Sequence, residues 1–599
     1  MQANLSIKGI TVQNIYTQYV SGYYLINRRY QRKLVWSVDE KAKFIDSILN
    51  GYPIPMILGA NYKKSDGSNA IEVLDGMQRL NAIVSFIEGE FPVSEKYFDL
   101  EVIALTKSQK DSGKLVQKTS LMATEECAKI LDYPVPFSIF DESEASKLDE
   151  SFRRINTGGR TLSKQDVRQA GALGLIPETI NSAAMYIRKD SSHSNFVDLQ
   201  NMSNISLSNR GLNYGINLHE VFWAKHGVIT YENLRMSRDE ELIAHLISCM
   251  ASPDLAQTTA HYLDKIYTPD TPESENLGAQ INKYNKDTLV KQFCFVFDEL
   301  QRTIECNGTK FKDLVFRNKP NKVTRVYQVI FLAIYEALIL RNLKISNYQN
   351  LNKSLEGVFD AHLTALNSDE KWSTADRRDL SRSIYGVISK NFTPKVGSDP
   401  HLGGWVTSLE NILNESKTEQ VCYDFKLGFA QISGVGGSIL QRMVSKIIKT
   451  LTAMTNSKPG DCYVVVGVAD SESDAKAHDV HYGSQCIKYR DFYITGIDEE
   501  ATKYHNSVAD LEQKIVQQLE KEPVEHEIKQ KIKSSIVSFS YHNKQIMLFK
   551  LTRSEKPALY DGSFYKRTLS HIEKIERQEE FTFFKHFERD SELAQKQQP

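Results

Sequence analysis

The spacing of apolar and polar residues changes along this chain. In the first 105 residues, DEKAKFIDSILNG places its apolar positions three and four apart and ends on glycine, which predicts an amphipathic helix. MILGANY and AIEVLDG have the length and β-branched content of strands, so the region has α/β or α+β texture. From about 163 to 391 the pattern becomes helical, in ELIAHLISCMA, LVKQFCFVFDELQRTI and VTRVYQVIFLAIYEALIL, separated by polar loops. The last of these, at 323–340, carries Arg325, Gln328 and Glu336. Those groups are costly in hydrocarbon, which favours a buried helix over a membrane span. NFTPKVGSDPHLGGW at 391–405 concentrates Pro, Gly, Ser and Asp without periodicity, which predicts a linker over 391–408. Beyond it, Ile439, Leu440, Met443, Val444, Ile447, Ile448, Leu451 and Met454 share one helical face, and DCYVVVGVAD, QIMLFKLTR and GSFYKRT read as strands. No internal repeat is found, and the tail RDSELAQKQQP is expected to be disordered. The expected organisation is multidomain α+β: 1–165, a helical domain over 166–390, the linker 391–408, an α/β domain over 409–590 and the tail 591–599.

At 599 residues the chain exceeds one hydrophobic core, and roughly three or four compact units are expected. A net charge of -1 gives no global attraction to nucleic acid or membrane, so any such affinity is local. The seven cysteines are scattered without a C-x-x-C pair, which suggests neither a zinc site nor a disulfide framework and fits a reducing cytoplasm. MQANLSIKGI lacks the charged and apolar regions of a signal peptide.

Candidate chemistry near the N-terminus lies in glycine-bearing, basic turns. RRYQRKLVW at 28–36 joins four positive charges to two aromatics. VLDGMQRL at 73–80 sets Asp75-Gly76 at the end of a strand, opening a helix that carries Gln78 and Arg79. Gly76 allows close backbone approach, the amides of a helix N-terminus favour an anion, and Arg79 suits a bidentate phosphate clamp, with Asp75 as metal ligand or water-orienting group. A strand-to-helix turn with a capping Asp explains the same residues. FRRINTGGRTLSKQDVR at 152–168 again places a glycine pair among arginines, before a helix capped by Ser163.

In this order and spacing, YQRKLVW, SILNGYPIPMILG, VLDGMQR and FRRINTGGRTLSKQDVR resemble the N-terminal domain of GmrSD-type modification-dependent restriction proteins, over about residues 8–175. The resemblance implies a ParB/sulfiredoxin-like fold and a module that binds, and in some members hydrolyses, a nucleoside triphosphate in defence against phage DNA. The implied nucleotide site is Asp75, Gly76, Gln78 and Arg79, with Arg32 and the loop Asn156, Gly158, Gly159 and Arg160 contributing. Met77 stands where the signature usually has Gln. The HNH nuclease that ends many relatives has no counterpart in the motifs found here.

The C-terminal candidates begin at TEQVCYDFKLGF, 418–429. On a strand, Asp424 and Lys426 project to one face, the D-x-K arrangement in which a carboxylate holds a metal and a lysine steadies a water or transition state; a solvated strand face is the alternative. Glu419 would share a metal with Asp424 only if the chain bends between them. Glu419, YDFK, a helix ending in AMTN, KPGDCYVVVGVADS and KPALYDGSFYKRT resemble the Schlafen-type AlbA-like domain, over about 411–575. That resemblance implies a metal site for Mg2+ or Mn2+ at Glu419, Asp424 and Asp470. It departs from the pattern in Asp at 424, Pro459-Gly460 for a glycine pair, and Ala469 for a second acid. Tyr565, Lys566 and Arg567 on the late strand are expected to contact nucleic-acid phosphates, or else to form an exposed basic edge.

SGVGGS at 433–438 lacks the G-K-[ST] ending of a phosphate loop, and His478, Asp479 and His481 in AHDVHYG read as a metal site or a polar loop. Three functions compete. One is a phage-defence effector coupling an NTP-sensing N-terminal domain to a metal-dependent nuclease. Another is a nucleotide-responsive DNA-binding regulator. The third is an NTPase whose hydrolysis drives assembly, with homo-oligomerisation left open.

Overall fold

The computed structural model describes residues 5–28, 33–64, 66–140, 163–169, 174–190, 196–208, 211–367, 372–395, 404–416, 421–432 and 437–596. The chain is mixed α and β and divides into two compact units. One comprises Met1–Gly278, Asp298–Leu332 and Asn352–Ile384; the other comprises Ala279–Phe297, Ala333–Leu351 and Tyr385–Pro599.

The first unit is built on a mixed six-stranded sheet in the order Leu5–Thr11, Pro134–Phe140, Ile57–Lys63, Asn69–Asp75, Tyr24–Asn27, Phe196–Asp198. Asn69–Asp75 pairs antiparallel with Ile57–Lys63 and parallel with Tyr24–Asn27, and its residues from Ala70 to Leu74 are buried. The helix Val38–Leu49 shows why the local sequence folds as it does. Ser37 Oγ accepts from the Glu40 amide at 3.3 Å while Glu40 Oε2 accepts from the Ser37 amide at 2.9 Å, a reciprocal capping box. Phe44, Ile45 and Ile48 then face the core together with Ile57, Val73, Leu80 and Ile83. Each fully buried aliphatic side chain contributes roughly 1.5–3 kcal/mol.

The second unit holds a four-stranded sheet in the order Val537–Tyr541, Lys544–Thr552, Asp461–Val466, Tyr423–Lys426. Tyr423–Lys426 is the edge strand and runs parallel to Asp461–Val466, which follows it through the helix Leu440–Ser457. Alternation separates two cores. Val464, Val466, Met547, Phe549 and Leu551 pack with Val444, Ile447, Ile448, Leu451 and Met454 of that helix. Val465, Ile546, Leu548 and Phe539 pack with Val406, Leu409, Ile412 and Leu413 of the helix Trp405–Glu415.

Several expectations are corrected. Within 391–408, Phe392–Pro394 is a strand paired with Leu343–Ile345, and Trp405 begins a helix whose apolar residues recur every three to four positions. Composition hid both, because the polar run lies between them. The helical region 166–390 is apportioned between the two units. The tail 591–599 is helical through Lys596, in Glu580–Lys596, where Glu, Leu, Ala, Gln and Lys all have high helix propensity. His478, Asp479 and His481 lie on the helix Glu472–Tyr482 rather than in a loop. Val323–Leu340 is long and apolar enough to cross a membrane by length and composition, and 67% of it is buried within the fold, as in a core helix.

Candidate functional site

Asp75 closes its strand and Gly76 caps the helix Met77–Ile87. Gly76 has φ +104°, and a Cβ there would lie 2.8 Å from Ile57 Cγ1. Glycine is therefore required by the backbone angle and by the neighbouring strand, so the close approach it permits is internal. Arg79, one turn on, pairs with the Asp75 carboxylate and donates to the Met56 carbonyl at 3.2 Å. Gln78 Oε1 accepts from the Val35 and Trp36 amides at 3.1 and 3.2 Å, and its Nε2 donates to the Lys33 carbonyl at 3.1 Å. Gln78 thus straps residues 33–36 to the helix.

The described cations of the other two basic motifs are engaged within the fold. Arg28 pairs with Asp190, Lys33 Nζ donates to the Leu234 carbonyl at 3.0 Å, and Arg168 pairs with Glu241 and Asp264 at 2.8 and 2.7 Å. Arg32, Asn156, Gly158, Gly159 and Arg160, the other expected contributors, lie outside the described residues. A cluster the sequence reading missed sits on the buried face of Val38–Leu49. Lys41 Nζ lies 3.1 Å from Ser85 Oγ, 2.5 Å from the Tyr214 hydroxyl and 3.7 Å from Glu90 Oε2. Burial pulls its amine down to about 8, against the opposing pull of Glu90.

Residues 12–173, which contain this turn, match the family model described as GmrSD restriction endonuclease, N-terminal domain. The chain carries a GmrSD-type N-terminal domain. No curated protein matches the chain. Asp75, Gly76, Gln78 and Arg79 all fall inside the GmrSD-type domain, as do the undescribed 156–160 residues.

In the second unit the register Val464↔Asp424 and Val466↔Lys426 places Asp424 and Lys426 on the face of the Leu440–Ser457 helix, while Tyr423 and Phe425 pack on the opposite core. The same-face relation read from the strand period is present. The two side chains form an ion pair, and Arg567 Nη2 donates to the other carboxylate oxygen of Asp424 at 3.1 Å. Arg567 was expected beside Tyr565 and Lys566 as a phosphate contact. Instead its side chain is 4% exposed, its Nε donates to the Leu569 carbonyl at 2.9 Å, and its amide donates to Ser457 Oγ at 2.6 Å. The partly buried Asp424 carboxylate draws it in.

Asn456, the last residue of the AMTN motif, explains that motif structurally. Its Nδ2 donates to the Ala558 and Tyr565 carbonyls at 2.9 Å each, and its Oδ1 accepts from the Ala558 amide at 2.7 Å, fastening the helix end to the late strands. Lys449 Nζ stands 4.0 Å from the Tyr565 ring centre. Lys566 pairs with Glu573 at 3.5 Å and remains half-exposed.

Asp470 is exposed, just past the short strand Val468–Ala469, and Glu419 lies outside the described residues. Among the described residues no group of three or more His, Cys, Asp or Glu is placed to hold a metal ion. Both oxygens of Asp424 face cations, so a divalent ion would have to displace Lys426 or Arg567. As described, this donor set does not fit the ion.

Glu500 is a further residue that sequence reading missed. It is buried, and its carboxylate accepts from the Phe429 amide at 2.8 and 2.9 Å, just beyond the Asp424 strand. Burial pushes its carboxyl up to about 7, with the hydrogen bonds from the Phe429 and Ala430 backbone opposing. No local motif marks it, because its partner is 71 positions away.

Proposed function

We propose that this chain is a cytoplasmic restriction-type defence effector against phage. In it a ParB/sulfiredoxin-like GmrSD-type domain binds a nucleoside triphosphate, and a Schlafen AlbA-like domain engages nucleic acid. The match of residues 12–173 to a restriction-endonuclease domain carries this reading. The geometry supports the nucleotide part through Asp75, still 36% exposed beside Arg79 at a helix N-terminus, where a phosphate meets amides and a guanidinium together. Arg32 and the Asn156–Arg160 loop complete the site in this reading.

In its nuclease form the proposal assigns Mg2+ or Mn2+ to Glu419, Asp424 and Asp470, an assignment that requires Lys426 or Arg567 to release Asp424. The engagement of Asp424 by two cations favours a second reading, a nucleotide-responsive protein that binds nucleic acid through residues such as Tyr565 and Lys566 without cutting it.

The test incubates the full-length protein with plasmid DNA, tRNA and each NTP, with Mg2+ or Mn2+, beside Asp424→Ala and Asp75→Ala variants whose folding is verified by circular dichroism. The nuclease form expects cutting that Asp424→Ala abolishes, and the nucleotide site expects NTP binding that Asp75→Ala weakens. Uncut but bound nucleic acid selects the second reading. Neither binding nor turnover in any arm overturns both.

A further inference from the structure

Between the helices Leu440–Ser457 and Val508–Lys521 lies an open groove of about 730 Å³. One wall presents Arg442 and Ser445; the other presents Lys514, Gln517, Gln518 and Lys521, the i, i+3, i+4, i+7 stripe of its helix. The lining therefore holds three cations and no carboxylate, in a chain whose 74 basic and 75 acidic residues balance.

Several exposed cations elsewhere in this unit are paired: Lys476 with Glu472, Lys531 with Glu527, Lys533 with Glu520. Among the described residues Arg442 and Lys521 have no carboxylate partner, and Lys514 Nζ approaches only the neutral ring of His505, at 3.4 Å. Glu522, the acid next to the groove, is 3% exposed and engaged by Ser445, Gln518 and Tyr560 at 2.8–3.0 Å. The positive wall continues along its helix through Lys446 to Lys449, which stands over Tyr565.

We infer that this groove is a track for the phosphodiester backbone of a single-stranded nucleic acid, leading toward Tyr565. This deepens, and rests on, the nucleic-acid reading of the same unit. Lys514 and Lys521 are separated by roughly 10 Å along their helix, as are Arg442 and Lys449 along theirs. One phosphate cannot satisfy such a pair, whereas successive phosphates of a strand can. Gln517, and the second amide hydrogen of Gln518, suit sequence-independent contacts to backbone oxygens, and an aromatic ring at the end of the track suits base stacking.

The test measures fluorescence anisotropy of labelled single-stranded DNA, single-stranded RNA and duplex DNA with the full chain over a salt series. A groove variant, Arg442→Glu/Lys514→Glu/Lys521→Glu, is compared with a charge-matched control, Lys476→Glu/Lys531→Glu/Lys533→Glu. The groove variant should bind single strands at least tenfold more weakly, with a log–log salt slope shallower by roughly 2, while the control binds as wild type. If the glutamate variant is misfolded by circular dichroism, Arg442→Gln/Lys514→Gln/Lys521→Gln gives the slope instead. A groove variant equal to wild type, equal losses in the control, or a preference for duplex overturns the track alone. A wild-type chain that binds no strand overturns the nucleic-acid reading itself.

Discussion

Arg567 Nη2 reaches Asp424 Oδ1 at 3.1 Å across 143 positions of sequence, closing a partly buried trio in which one carboxylate faces two cations. With side-chain exposures of 17% for Asp424 and 4% for Arg567, neither charge is well solvated by water. Removing the shared carboxylate therefore strands two cations, whereas removing Arg567 alone leaves Asp424 paired with Lys426. Asp424→Asn is expected to lower unfolding free energy by about 3 kcal/mol, and Asp424→Asn combined with Arg567→Met should recover part of it, because one of the two stranded cations goes with the carboxylate. Urea denaturation of the three proteins checks this. A double variant no more stable than the single one would show that the trio is not coupled.

Glu500 makes a pH-dependent contribution of opposite kind. Its carboxyl is pushed up to about 7 from an ordinary 4.5, so between those values the native state holds a proton that the unfolded chain releases. Native stability from this group is then greatest at low pH and declines as pH rises from about 4.5 to about 7. Glu500→Gln removes the titration while keeping an oxygen for the Phe429 amide. The wild-type unfolding free energy from urea denaturation should fall between pH 5 and pH 8 by roughly 2–3 kcal/mol more than that of Glu500→Gln. Parallel pH profiles for the two proteins would refute the assignment.

How far the sequence was legible follows from which partners are local. The turn at Asp75-Gly76, the shared face of Asp424 and Lys426, and the apolar face of Leu440–Ser457 all depend on periods of two or 3.6, and each is present. Arg567, Glu500 and Ile57 were not legible as partners of Asp424, Phe429 and Gly76, since strand order and register bring them together. The linker over 391–408 was misread for a related reason. Polar composition describes solvation, whereas Phe392–Pro394 becomes a strand through Leu343–Ile345, a partner found only in the folded chain. Lys449 could have been found, because Arg442, Lys446 and Lys449 recur at helical spacing in RMVSKIIK.

Gly76 gives a sharp stability test. A methyl group at that position meets Ile57 Cγ1 at 2.8 Å and imposes a side chain on φ +104°, so the two penalties add. Gly76→Ala should destabilise the GmrSD-type domain by about 2–4 kcal/mol. In an Ile57→Ala background, which lacks both γ carbons, Gly76→Ala should cost less than in wild type but still destabilise, because the backbone strain persists. Differential scanning calorimetry reads both effects, and an unchanged melting temperature in Gly76→Ala would contradict the geometry.

Gln78 separates two roles that its place in the signature merges. Were it chiefly a nucleotide ligand, replacing it would lower NTP affinity and leave the apo protein intact. Its oxygen and nitrogen are instead committed to the backbone of Lys33, Val35 and Trp36. Gln78→Leu should therefore cost the apo protein roughly 2 kcal/mol and speed amide exchange at Val35 and Trp36. Gln78→Glu keeps both acceptor bonds and loses only the donation to Lys33, so exchange at those two amides should stay slow. Fast exchange in Gln78→Leu with slow exchange in Gln78→Glu identifies the strap. Native-like exchange in both variants, with NTP affinity lost, would make Gln78 a direct ligand.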